Sequence, residues 1–202
     1  MEVGLLSLDA IAEAPLPNAA CGFLMVPAVL SAVDLATVRA DFPQIAGPGI
    51  FSLSELIYGP AFAELIREVC AKDFQTVIER KSGIDLSDKS MVIFVCGQGH
   101  RCDCETWINH NDGVVTCLLY LNNIWDDRSG GLCIVPRNND PSGDIADVPT
   151  GAGALNPPSR TDRSWHGAAA HAGEQRVVML NWVATQAACE GVWAATGSRG
   201  HG

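Results

Sequence analysis

Residues 114–122 read VVTCLLYLN. The run is apolar and rich in β-branched side chains, and a glycine precedes it and an asparagine follows. A buried strand is the expected reading. MVIFVCG (91–97), LCIVP (132–136) and RVVMLNWVA (176–184) read the same way. A short strand is expected over 151–155, and SWHGAAA (164–170) leads through the turn HAGEQ into the last strand. Strands thus recur along the second half, split by Gly/Asp/Asn turns such as WDDRSGG (125–131). That spacing suits a β-barrel or sandwich.

Upstream the periodicity changes. GFLMVPAVL (22–30) suggests a strand running into a turn, after which Ser31 begins a helix through about residue 40. Ser31 and Asp34 have capping-box spacing, and Leu30 with Leu35 forms the hydrophobic staple. The same grammar recurs at Phe51-Ser52-Leu53-Ser54-Glu55-Leu56. From Pro60 to Arg80, Phe62, Leu65, Ile66, Val69, Phe74, Val77 and Ile78 form one apolar helical stripe, with Gly83 as its stop. The expectation is a mostly helical part over 1–88, packed on one sheet of a β core over 90–185, with a tail over 186–202.

The 202 residues suit one domain, and 48% hydrophobic with 18% charged residues is a globular composition. No window holds eighteen uninterrupted apolar residues, so no membrane span is expected. The N-terminus has no basic segment of the kind that opens a signal peptide, which points to the cytoplasm. A net charge of −10 with thirteen scattered Lys/Arg argues against a nucleic-acid partner. Cys70, Cys96, Cys117 and Cys133 sit in apolar runs, where a free cysteine behaves as a small hydrophobe, and most of the eight cysteines read as thiols rather than disulfide partners.

The chemistry concentrates in HRCDCETWINHNDG (100–113). Cys102 and Cys104 with His100 raise a zinc reading. A structural zinc site takes four ligands in two pairs, and no second pair with that spacing is present. His110 and Asp112 are two apart just before a strand, so in extended chain they share a face. His166, at the start of another expected strand, is the natural third ligand. Two histidines and a carboxylate leave open positions on the ion, the arrangement of non-haem Fe(II) oxygenases. Ten residues on, Arg176 opens the final strand. A buried guanidinium needs an anion, and its fork fits a carboxylate, here the distal one of a keto-acid cosubstrate.

The ordered set His110-x-Asp112, His166, Arg176 resembles the Fe(II)/2-oxoglutarate-dependent dioxygenases, most closely their prolyl-4-hydroxylase-like branch. VTCLLYLNNIWDD (115–127) followed by Gly130-Gly131 resembles the strand after that branch's first ligand pair, and Trp182 matches a tryptophan six residues past the arginine. The resemblance covers roughly 90–185. It implies a double-stranded β-helix (jelly-roll, cupin-like) core with the helices packed on one sheet. It implies iron held by His110, Asp112 and His166, and 2-oxoglutarate gripped by Arg176 with Tyr120. It also implies O2 as oxidant, ascorbate as a candidate reductant, and hydroxylation of a C–H bond of a peptidyl, amino-acid or other small-molecule substrate, with release of succinate and CO2. Related halogenases have a small residue at the carboxylate position; Asp112 therefore favours hydroxylation or another oxidation. The segment before the ligands matches loops that cover the site, which makes Arg101 and Trp107, with Trp182, candidate substrate contacts. Two departures stand out. Leu180 replaces a common threonine, and Asn156 stands where the strand usually closes with an aromatic. Two other readings are a catalytically silent jelly-roll binding module and a zinc-stabilised interaction domain using Cys102 and Cys104.

Overall fold

The structure, a computed structural model, describes residues 4–15, 26–45, 50–96, 108–109, 114–122, 132–135, 146–148, 153–156, 165–168 and 176–184. Of these, 108–109, 114–115, 132–135, 146–148, 156 and 165–168 are described by backbone alone. The helices are α1 (Leu8–Glu13), α2 (Ala32–Ala40), α3 (Pro60–Val69) and α4 (Lys72–Ser82). The strands are β1 (Ile50–Ser52), β2 (Ser90–Cys96), β3 (Ile108–Asn109), β4 (Val114–Tyr120), β5 (Leu132–Val135), β6 (Ala146–Val148), β7 (Leu155–Asn156), β8 (Trp165–Ala168) and β9 (Val177–Val183).

The helices begin and end where local chemistry allows. Ser31 accepts from the Asp34 N–H at 3.1 Å and its hydroxyl donates to the Asp34 carboxylate, so the expected cap of α2 is present. The apolar stripe over 60–80 is not one helix. It breaks at Cys70 and Ala71, and Ala71 is extended. The stripe steps by three or four up to Val69 but by five to Phe74, and Lys72 and Asp73 occupy the positions where a continuous helix needs apolar residues. The second expected cap, at Ser52, becomes the end of β1 followed by a single 3-10 turn over Leu53–Glu55, and Ser52 makes no capping bond. Gly59 and Pro60 open α3 so soon after that turn that no helix has room to propagate.

Among the described residues two antiparallel sheets form. The larger runs β1-β2-β9-β4-β7, the smaller β3-β8-β5-β6. The chain alternates between them, crossing after β2, β3, β4, β6, β7 and β8. Side-chain alternation divides the larger sheet into two faces. One face, with Ile93, Val95, Cys117, Leu119, Val178, Leu180 and Trp182, packs with Val38, Phe62, Leu65, Val69, Phe74 and Ile78 of the helices to form the main core. The other face carries a smaller cluster of Cys96, Tyr120 and Val177, with Ile50, Leu118 and Met179 against it. Helix and strand take about equal shares of the described residues, so the expected mainly β character is not what they show; the helices form a layer on one face of the larger sheet.

Candidate active site

The smaller sheet positions the third expected ligand. β3 pairs with β8 through Ile108↔His166 and Asn109↔Trp165, and β5 flanks the other side through Ile134↔His166. His166 therefore stands in the middle of this sheet, opposite a residue two before His110 in the chain. His110 and Asp112 lie outside the described residues, and His166 is described by its backbone. Among the described residues no trio of His, Cys, Asp or Glu is placed to hold a metal. Arg101, Cys102, Cys104 and Trp107 also lie outside the described residues.

The larger sheet positions the rest. Tyr120 closes β4 on the face away from the helices, 4% exposed, opposite Val177 of β9. The ladder continues one step beyond β4, as the Leu121 N–H donates to the Arg176 carbonyl at 2.8 Å. Arg176 thus stands at the same end of the sheet as Tyr120, but its side chain takes the other side. The guanidinium donates to the Arg39 carbonyl near the end of α2 at 2.9 Å and lies 5.5 Å from the centre of the Phe42 ring. A cation over an aromatic face is attractive, and a helix's last carbonyls need donors. Trp182 is 1% exposed, its ring stacked on Phe74 of α4 at 6.3 Å, inside the helix-facing core.

Two further polar groups emerge that sequence patterning alone did not single out. Thr116 donates through Oγ1 to Asn181 Oδ1 at 2.9 Å across β4 and β9, and Asn181 is only 2% exposed. They share the face of Tyr120, so at the level where Leu180 departs from the familiar threonine the polar side chain on that face is Asn181, while Leu180 is buried under the helices. Asn122, 2% exposed, accepts the Arg176 N–H at 2.5 Å through Oδ1, and its Nδ2 has no hydrogen-bond partner among the described residues. Leaving a buried donor unpaired costs on the order of 1–3 kcal/mol. The signal for both was their strand parity, legible only once β4 and β9 are set in register.

No family model and no curated protein matches the chain in sequence. In structure the chain is similar to AviO1 from Streptomyces viridochromogenes Tue57, with a TM-score of 0.56 and 15% identity over 84% of this chain and 96% of that one. It is similar to a Pseudomonas putida prolyl-4-hydroxylase, with a TM-score of 0.51 and 18% identity over 87% and 96%. It is also similar to SnoN, the non-haem α-ketoglutarate-dependent epimerase of nogalamycin biosynthesis, with a TM-score of 0.50 and 13% identity over 87% and 80%. The chain has the fold these proteins share.

Proposed function

We propose that the chain is an Fe(II)- and 2-oxoglutarate-dependent dioxygenase with a double-stranded β-helix core, acting on a peptidyl, amino-acid or other small-molecule substrate. The observation that carries this reading is the seam between β3 and β8. β3 runs directly into His110-x-Asp112, and its partner strand presents His166 in register with it. The crossing of successive strands between two antiparallel sheets supports it, as does the fold likeness to a prolyl-4-hydroxylase and to an epimerase described as non-haem and α-ketoglutarate-dependent.

His110, Asp112 and His166 would hold the metal, a set suited to Fe(II) with positions left open. The metal and its cosubstrate supply the oxidising chemistry, in which O2 is consumed, 2-oxoglutarate leaves as succinate and CO2, and a substrate C–H bond becomes C–OH. The chain's own work is to orient the reactants and exclude water. Tyr120 and Arg176 would take the far carboxylate of the cosubstrate. Tyr120 is already on the face away from the helices. For Arg176 to fork onto a carboxylate beside Tyr120, its guanidinium has to leave the Arg39 carbonyl and the Phe42 ring. Trp182, stacked on Phe74, would then support the sheet rather than touch substrate. Among the neighbours, one is named a prolyl-4-hydroxylase and another an epimerase, so the fold hosts more than one reaction outcome. The net charge of −10 favours a substrate other than nucleic acid.

Replacing Asp112 by alanine tests the reading. The expected result is a folded protein by circular dichroism that no longer retains Fe(II) and forms no succinate from 2-oxoglutarate. Undiminished succinate formation in this variant, or loss of the metal on replacing Cys102 and Cys104 instead, would overturn it.

A further inference from the structure

We propose that Asn122 is a binding residue for the distal carboxylate of the cosubstrate, donating to it from its side-chain amide beside Tyr120. The inference rests on the dioxygenase reading and adds a residue to it. The Arg176 N–H can only donate, so the side-chain atom 2.5 Å from it is the oxygen of Asn122, and the orientation of the amide is fixed. The nitrogen is therefore turned away from Arg176 with two N–H groups and no acceptor among the described residues, in a residue 2% exposed. Buried amides in folded proteins nearly always find partners, so an amide held in one orientation with its donors idle is poised for an acceptor that arrives from outside the chain.

The chemistry of that acceptor follows from the surroundings. Asn122 lies two residues past Tyr120, and the ladder bond from Leu121 N–H to the Arg176 carbonyl keeps the chain extended between them. Alternation then puts Asn122 on the side of Tyr120. A phenol and an amide, both able to donate, thus share one face at this end of the sheet, and the Arg176 guanidinium, held on the opposite face by the Arg39 carbonyl and the Phe42 ring, joins them once it leaves those partners. Such a set suits an oxygen that only accepts and carries negative charge. A 2-oxo acid ending in a carboxylate offers this; one ending in a methyl group does not. Arg176 enters a second time here, as a positioning residue whose backbone N–H holds Asn122 in place.

The test uses the Fe(II)-loaded full chain without oxygen, titrated calorimetrically with 2-oxoglutarate and with 2-oxopentanoate, which has the same carbon skeleton but no distal carboxylate. Asn122→Asp keeps an oxygen for the Arg176 N–H and replaces the donor by a second oxygen. Its Kd for 2-oxoglutarate is expected to rise about tenfold or more, as loss of a charge-assisted hydrogen bond requires, with the Kd for 2-oxopentanoate unchanged. An unchanged Kd for 2-oxoglutarate, or an equal loss for both ligands, overturns the proposal. Should the variant not fold, the wild-type protein decides. In its Zn(II) form the Asn122 side-chain NH2 resonance should move on adding 2-oxoglutarate and stay in place with 2-oxopentanoate, and a resonance that 2-oxoglutarate leaves in place sinks the proposal. If the wild type binds neither 2-oxo acid, the dioxygenase reading itself falls.

Discussion

Glu68 shows how a single side chain can close a fold. Its two carboxylate oxygens accept the Leu5 and Leu6 N–H groups, each at 2.8 Å, and so tie the N-terminal segment to α3 across more than sixty residues of chain. A carboxylate is built for two backbone donors; an amide is not, because one of its two atoms also donates. Glu68→Gln therefore opposes two donors and should lower stability by about 1–3 kcal/mol in urea unfolding. Glu64, one turn earlier, pairs with Arg67 on the open surface, where such pairs contribute little, so Glu64→Gln serves as the control. Equal effects of the two substitutions would remove Glu68 from this role. Neither carboxylate reveals its role in sequence: both are acidic residues in an amphipathic helix, and the partners of Glu68 are main-chain atoms that carry no signature. The polar residues on the Tyr120 face, Asn122 and Asn181, were hidden for a related reason. A strand's alternation tells which residues share a face, but not which face meets the helices.

At the scale of elements, each helix ends where its chemistry ends. α4 stops at Gly83, whose φ of 67° is left-handed and whose N–H donates to the Glu79 carbonyl at 2.9 Å. A Cβ there would meet nothing within 4 Å, so any cost of Gly83→Ala is conformational rather than steric. The expected loss is about 1 kcal/mol, measured as a shift of the urea midpoint at unchanged slope, with Gly83→Asn losing less. This stop was readable in the sequence because glycine after a stripe has one physical use. The strands β2, β4, β5 and β9 were readable too as compact apolar runs, and β8 was expected from the place of His166 before the final turn and strand. The division of the helix between α3 and α4 left a trace in the five-residue step from Val69 to Phe74, masked by the regular steps around it. β1 and β6 left none: three residues each, they are strands because a neighbour pairs with them. In the candidate site, the spacing of His110, Asp112 and His166 was visible as a pattern and Tyr120 was expected from the family resemblance, whereas the direction of the Arg176 guanidinium depends on α2, an element far away in sequence.

For the molecule as a whole, the larger cluster of buried apolar side chains among the described residues fills the seam between helices and sheet, and Cys117 reports on it. Its side chain is fully buried on the helix-facing side of β4, and burial pushes the thiol well above its ordinary value near 9, because a thiolate there would lose its solvation. The sign of the pH effect follows. The folded chain holds the proton more tightly than the unfolded one, so the contribution of this group is intact below the ordinary thiol value. It is then lost progressively as pH rises past 9 toward the folded value, by up to about 1.4 kcal/mol per pH unit. Cys117→Ala should cost stability at neutral pH by opening a small cavity. That deficit should shrink as the solution becomes alkaline, because the variant has no thiol to ionise on unfolding. Urea unfolding at pH 7 and pH 10 measures the difference, and a constant gap between wild type and variant would refute the burial argument. Alkylation gives an independent reading of the same seam. Cys70 is exposed and should react in the native protein, whereas Cys117 should be modified only at the rate at which the helical layer parts from the sheet. Because the same layer receives the Arg176 guanidinium, a ligand that draws that side chain away from α2 should speed the modification of Cys117, and one that leaves it in place should not.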